Sequence, residues 1–149
     1  MKKLFLCFIA VLSISSQLFS QQKNIIINDP WIRPAAKGAN TALFFEVTNN
    51  NEKPDTLVSA KFEFSEVVEV HETYKKSEDV MGMRSVEHVI IQPKTTIKFK
   101  PRDLHIMLIS LKKDLRIDES YNVILVFKNS GEVKIKAVVR DMPRSGMKH

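Results

Sequence analysis

Four side chains between residues 71 and 107 have the types and the spacing of metal ligands. They are two histidines and two methionines: His71, Met83, His105 and Met107. His105 and Met107 are two positions apart, so in a strand both would project from the same face. Thioether sulfur is a soft, neutral donor that suits Cu(I), and imidazole binds either copper state. These residue types therefore predict a Cu(I) site.

Other metals fit this donor set less well. Zinc sites usually include thiolate or carboxylate ligands, whereas Ca²⁺ and Mg²⁺ prefer oxygen. A blue-copper centre requires a cysteine thiolate, and Cys7, the single cysteine, lies in an apolar N-terminal run. Neutral ligands leave the charge of the ion uncompensated, which is compatible with release to another protein. We therefore expect a carrier of Cu(I).

Further soft side chains lie outside this set. Met81 is interpreted as an ordinary loop residue, although a substitute ligand or a shield over the ion stays open. His88 is predicted to lie in a strand and not to bind metal. The C-terminal tail, residues 141–149, contains Met142, Met147 and His149. The tail is either a frayed end or an accessory copper arm that binds Cu(II) through His149.

The first 20 residues have the order of a secretory signal peptide. A short positive end is followed by an apolar run, Leu4 to Leu12, and by a polar stretch that ends at Ser20. The apolar run is much shorter than the roughly 20 residues that span a bilayer, so we expect no membrane insertion after cleavage. The mature protein would be exported and would contain no cysteine.

The rest of the chain reads as one β domain, residues 21–140. Its apolar runs are short, rich in Val, Ile and Phe, and bounded by turn residues, which predicts strands. The predicted strands are Asn24–Asn28, Thr41–Thr48, Thr56–Ala60, Glu66–Tyr74, Val86–Ile91, Thr95–Lys100, Leu104–Leu111, Tyr121–Lys128 and Glu132–Val139. Leu104–Leu111 is apolar on both faces and should be a central strand. Lys75–Gly82 is predicted to be a loop in which Gly82 allows unusual backbone angles. The pattern predicts an all-β, antiparallel sandwich or barrel.

Several function classes find no support in the sequence. The net charge is +6, but Lys and Arg are scattered among Asp and Glu, so nucleic-acid binding is not expected. No Ser–His–carboxylate set and no Gly-rich phosphate loop is recognisable. We therefore expect a binding protein and not an enzyme. A structural sandwich with incidental methionines stays an alternative.

The sequence also resembles the PCu(A)C family of periplasmic copper chaperones. Eleven residues separate His71 from Met83, twenty-one separate Met83 from His105, and one separates His105 from Met107, which matches the family signature. Glu72 departs from it, because a methionine often follows the first histidine. The segments that also resemble the family are Asp29–Pro34, with Trp31 and Arg33, Asp55–Ala60, Val70–Glu72 and His105–Leu108. We expect Trp31 to anchor the core and Arg33 to form an ion pair or a backbone contact.

This resemblance implies a fold and a role. The fold would be a cupredoxin-like or immunoglobulin-like antiparallel β-sandwich of about 8–9 strands. The protein would receive Cu(I) in the periplasm and supply the dinuclear copper centre of cytochrome c oxidase. Its partner would be subunit II of the oxidase or another assembly factor, and we expect the protein to be a monomer. Copper storage or detoxification remains an alternative to delivery.

Overall fold

The computed structural model describes residues 24–142, and all the regular structure in this range is β. The predicted signal peptide and the tail residues Met147 and His149 lie outside it. In chain order the strands are β1 Ile25–Ile32, β2 Thr41–Asn49, β3 Asp55–Lys61, β4 Ser65–Ser77, β5 Val80–Ser85, β6 Val89–Ile91, β7 Thr95–Phe99, β8 His105–Leu111, β9 Ser120–Phe127 and β10 Gly131–Val139. The all-β prediction is confirmed.

The strands follow one another in the order β5-β4-β8-β2-β1-β10-β9-β3-β6, and β7 pairs with β2. β8 lies between β4 and β2, as its apolar sequence predicts. Two details differ from the prediction: the described residues form ten strands instead of 8–9, and β1 pairs with β10 in parallel. The extra strand is β5, whose sequence mixes polar residues, Gly and Met and so lacks an apolar strand pattern.

The main core is formed by side chains that alternate along these strands. In β10, Val133, Ile135, Ala137 and Val139 are buried while the lysines between them are exposed. Alternate residues of a strand point to opposite faces, so one face of every strand except the exposed β5 joins the main core. We call the opposite face of the sheet the outer face.

A bulge in β1 changes the face on which Trp31 lies. Asn28 pairs with Glu46 but Trp31 pairs with Phe44, so β1 has one extra residue in this interval, and Asp29 has a positive φ of 48°. A single inserted residue inverts the alternation beyond it. Trp31 is buried, as expected, but on the outer face, where it forms a small cluster with Ala42 and Phe44. We call these three residues the outer cluster.

The segment predicted as the loop 75–82 is a hairpin. β4 continues to Ser77 and β5 begins at Val80. Gly82 is not one of the residues with positive φ found among residues 24–142, so the expected special backbone is wrong. A Cβ at Gly82 would lie 2.8 Å from Cζ of Tyr74. A larger residue at this position would therefore force the ring of Tyr74 to move.

The strand predicted at Val86–Ile91 is also shorter than expected. Only Val89–Ile91 is a strand, and His88 lies before it and is exposed. The backbone N–H of Val86 still donates to the carbonyl of Val70. The chain therefore stays beside β4 for one residue after β5 ends, and then turns toward β6.

Candidate metal centre

The four predicted ligands lie on one face of three neighbouring strands. His71 of β4 pairs with His105 of β8, and Thr73 of β4 pairs with Met83 of β5. Residues that pair across antiparallel strands share a face, as do residues two positions apart on one strand. His71, Met83, His105 and Met107 therefore share the outer face.

The two imidazoles form the centre of this arrangement. Their ring centroids are 6.0 Å apart and the ring planes differ by 57°. His105 is only 4% exposed, and the side chain of His71 is 17% exposed. Two largely buried rings at this separation fit coordination of one ion between them.

His105 is oriented by a backbone carbonyl. Its Nδ1 lies 2.8 Å from the carbonyl oxygen of Asp103. A carbonyl only accepts hydrogen bonds, so Nδ1 carries the proton and the lone pair is on Nε2. The same carbonyl accepts a hydrogen bond from the N–H of Thr73 at 3.3 Å. The carbonyl of Asp103 thus connects His105 to Thr73 of β4.

His71 has one nitrogen bonded and one without a partner. Its Nε2 lies 2.7 Å from a carboxylate oxygen of Glu69. Its Nδ1 is buried and has no hydrogen-bond partner within residues 24–142. A buried polar atom without a partner is unfavourable in a folded protein. A metal ion bound to Nδ1 would remove this cost, so His71 fits the predicted ligand role.

Met107 and His105 border the apolar outer cluster. Met107 is half-buried and packs against that cluster, and the ring of Phe44 lies 6.3 Å from the ring of His105. Burial lowers the pKa of His105, and the neighbouring His71 and Arg33 lower it further, against the opposite effect of the hydrogen bond to Asp103. The imidazole therefore keeps its neutral, metal-binding form at a lower pH than an exposed histidine does.

Met83 shares the face but lies at its margin. β5 is at the end of the strand order, and Met83 is 61% exposed. Its pairing partner Thr73 is two positions beyond His71. The structure therefore groups His71, His105 and Met107, and places Met83 on the neighbouring edge strand. A long, flexible thioether side chain there would have to turn toward the histidines to join them.

Imidazole, thiolate and carboxylate groups alone do not form a metal cluster in the described residues. Within residues 24–142, no group of three or more His, Cys, Asp or Glu side chains is suitably placed to hold an ion.

Residues 24–142 contain no helix that is long and apolar enough to cross a membrane.

Sequence comparison identifies the family. A family model described as putative lipoprotein LpqE-like matches residues 25–139. The chain belongs to this LpqE-like family. It is also 27% identical over 136 residues to the uncharacterized protein RP573 of Rickettsia prowazekii (strain Madrid E), with 87% of this chain and 74% of that protein covered.

Solved structures of PCuAC domains share the fold. The copper-bound PCuAC domain from PmoF2 has a TM-score of 0.68 at 24% identity, covering 80% of this chain and 94% of that one. The apo PCuAC domain from PmoF1 has a TM-score of 0.65 at 29% identity, covering 80% and 95%. The Cu(I) form of DR1885 from Deinococcus radiodurans has a TM-score of 0.61 at 22% identity, covering 81% and 83%. The resemblance to the PCu(A)C family is confirmed.

Glu72, which departs from the family signature, lies outside the candidate centre of this LpqE-like chain. It pairs with Arg84 in register and forms an ion pair with it. Because Glu72 is adjacent to His71 in β4, its side chain projects from the opposite face. A negative charge at this position is therefore not directed at the ligands.

The remaining soft residues are separated from the histidine pair. Met81 lies in β5 and not in a loop, two positions before Met83 and on the same face, and it is exposed. Met142 is exposed and borders a cavity of about 270 Å³ beside Trp31. His88 is exposed and lies before β6, outside the candidate centre.

Three neighbours of the predicted ligands were not anticipated from the sequence. Asp103 contributes a backbone carbonyl, and no side-chain pattern signals such a contact. Glu69 is two positions before His71, so strand periodicity alone places it on the same face. Phe44 could not be assigned to this face without the register of β2 against β8.

Proposed function

We propose that this protein is an exported carrier that binds Cu(I) through His71, Met83, His105 and Met107 and passes it to another protein. The pairing of His71 with His105, each with one ring nitrogen available to a ligand, is the observation that carries the proposal. Met107 adds a thioether on the same face. Two imidazoles and two thioethers suit Cu(I) and leave no thiol that could be lost to oxidation.

The comparisons support copper as the cargo. One structural neighbour is described as copper-bound and another as the Cu(I) form. The neighbour at 29% identity is described as an apo PCuAC domain, which suggests that this fold is stable without the ion. A carrier needs such an apo state. In this proposal copper is the transported substrate, and the protein catalyses no reaction on it.

The position of Met83 is compatible with transfer of Cu(I) to an acceptor protein. Its exposed edge strand would let an acceptor approach the ion from that side while the two histidines stay fixed by Glu69 and Asp103. Neutral donors also stabilise the ion less than a thiolate would. These features favour delivery over long-term storage.

We further propose that the protein acts in the periplasm as a monomer. The support is the signal-peptide pattern of residues 1–20 and the lipoprotein description of the family. The recipient that the PCu(A)C resemblance implies is the dinuclear copper centre of cytochrome c oxidase subunit II, directly or through another assembly factor.

A transfer experiment tests delivery. The Cu(I)-loaded protein is mixed without oxygen with the apo soluble domain of oxidase subunit II, and the two are separated for metal analysis. Delivery predicts that copper moves to the oxidase domain. Retention of copper by the carrier, together with copper sensitivity and normal oxidase in a deletion strain, would contradict delivery and favour detoxification.

The tail remains a separate proposal. A Cu(II) site at His149, assisted by Met142 and Met147, predicts a Cu(II) signal in electron paramagnetic resonance, because Cu(I) at the main site gives none. Removal of residues 143–149 should abolish that signal without weakening Cu(I) binding. An unchanged spectrum would identify the tail as a simple chain end.

A further inference from the structure

Glu69 makes the closest polar contact of the proposed centre. Its carboxylate lies 2.7 Å from Nε2 of His71, and both residues project from the outer face of β4. Glu69 also pairs in register with Met107. It is therefore next to two of the proposed ligands.

The hydrogen bond determines where the proton of a neutral His71 lies. An ionised carboxylate only accepts hydrogen bonds, so Nε2 must carry the proton. The lone pair is then on Nδ1, which is the buried atom without a partner. Metal-binding histidines commonly donate their other N–H to a carboxylate, which fixes the ring and makes the ligand nitrogen more basic.

We infer that Glu69 is a positioning residue that holds His71 with Nδ1 presented to copper. Glu69 acts through the imidazole and does not itself bind the ion. A carboxylate is a hard donor with little preference for Cu(I), and its contact with Nε2 already occupies one of its oxygens. This role rests on the proposed function and goes beyond it, since it assigns the ligand atom of His71.

The two histidines are consequently fixed in opposite ways. His105 donates from Nδ1 to the carbonyl of Asp103 and presents Nε2, whereas His71 donates from Nε2 to Glu69 and presents Nδ1. A backbone carbonyl holds one ring and a charged side chain holds the other. Only the contact from the Glu69 side chain can be removed by substitution, which makes the inference testable.

The experiment compares two changes at Glu69 with a matched control. Glu69→Leu removes the acceptor, and Glu69→Gln keeps an acceptor oxygen but removes the charge. Glu72→Gln removes the same charge one residue beyond His71, on the opposite face, where Glu72 contacts Arg84. Each protein is studied in the apo state by ¹H–¹⁵N spectra of the His71 ring and then by anaerobic Cu(I) competition.

The inference predicts a protected Nε2–H on His71 in the unaltered apo protein, lost in Glu69→Leu. Cu(I) affinity should fall about 10- to 100-fold in Glu69→Leu, the range known for such carboxylate partners, and less in Glu69→Gln. Glu72→Gln should stay within about twofold.

Two results would overturn the inference. One is an Nδ1–H on His71 in the apo protein, because that proton would occupy the proposed ligand atom. The other is equal affinity in Glu69→Leu and the unaltered protein. The apo spectra need no copper, so a protein that shows the Nε2–H but never binds Cu(I) would contradict the proposed function and not the hydrogen bond.

Discussion

His71 and His105 face each other across neighbouring strands, with 6.0 Å between their ring centroids. This pairing brings together two residues that are far apart in sequence. It also places Met107 of β8 and Glu69 of β4 beside the pair, because those two residues are themselves register partners. The centre is therefore built by sheet register, and its geometry depends on how β4 is held between β5 and β8.

Met107→Leu should separate metal binding from packing. Met107 is half-buried against the outer cluster, and Leu has a similar volume, so the free energy of unfolding should fall by less than about 1.5 kcal/mol. Loss of the thioether should weaken Cu(I) retention at least tenfold. Urea unfolding of the apo protein and anaerobic competition check the two effects. Normal Cu(I) binding by a folded variant would show that Met107 is not a ligand.

Gly82→Ala should disturb the hairpin that carries Met83. The new Cβ would lie 2.8 Å from Cζ of Tyr74, so the ring must move, and β5 is an edge strand with little else to hold it. We expect weaker Cu(I) binding while the main core is unchanged. In a Tyr74→Leu background the same change should cost less, because the ring is absent. Equal effects in both backgrounds, measured by competition titration, would rule out this contact as the cause.

Acid should destabilise the apo protein through His105. Its folded-state pKa lies below the usual value of 6.5 because the ring is buried. The unfolded chain therefore binds a proton first as the pH falls, so stability is complete above about pH 6.5 and decreases below it. The free energy of unfolding should thus be lower at pH 5 than at pH 7.5.

His105→Gln should reduce this pH dependence, and His88→Gln, at an exposed position, should not. Urea unfolding at several pH values measures both variants. Proton competition for the histidines also predicts weaker Cu(I) binding below about pH 6. An identical pH dependence in His105→Gln would assign the acid sensitivity to other groups.

Asp55 should matter for the fold and not for copper. Burial acts to raise the pKa of Asp55, but hydrogen bonds from Ser130, Asn129 and Thr56 outweigh it and lower the pKa. The carboxylate fastens the start of β3 to the turn between β9 and β10. Asp55→Ala should cost about 1–3 kcal/mol of unfolding free energy because three partly buried N–H groups lose their acceptor.

Cu(I) affinity should be unchanged in folded Asp55→Ala. The stabilisation by Asp55 is present above the unfolded-state pKa near 3.8 and is lost as the pH falls through the lowered folded-state value. Unfolding curves and competition titrations on the same samples test the separation. A large loss of Cu(I) affinity would mean that the hydrogen bonds of Asp55 at the start of β3 affect the candidate centre on β4 and β8.

Much of the fold followed from local pattern. β2, β8 and β10 were predicted within about one residue because their Val, Ile, Leu and Phe residues are bounded by clear turns. β5 was missed because an exposed edge strand needs no alternation of apolar and polar residues. It is held by its pairing with β4, which the local sequence does not report. The bulge at Asp29 could not be read from sequence, and one residue there decides that Trp31 lies on the outer face.

The candidate site was predicted less evenly. The types and spacing of the four proposed ligands were visible, and the i, i+2 relation of His105 and Met107 fixed their common face. The pairing of His71 with His105 depends on long-range register, which no local signal reports. The role of Glu69 was missed because a charged residue in a half-exposed strand usually marks only a solvated face.

The most direct test of the account is an anaerobic Cu(I) titration of the mature protein against a chromogenic chelator. It is run beside a variant with Met83→Leu and Met107→Leu, whose fold is checked by circular dichroism. The account predicts one tightly bound equivalent in the unaltered protein and its loss in the folded double variant. No tight binding by the unaltered protein, or equal binding by both, would contradict it.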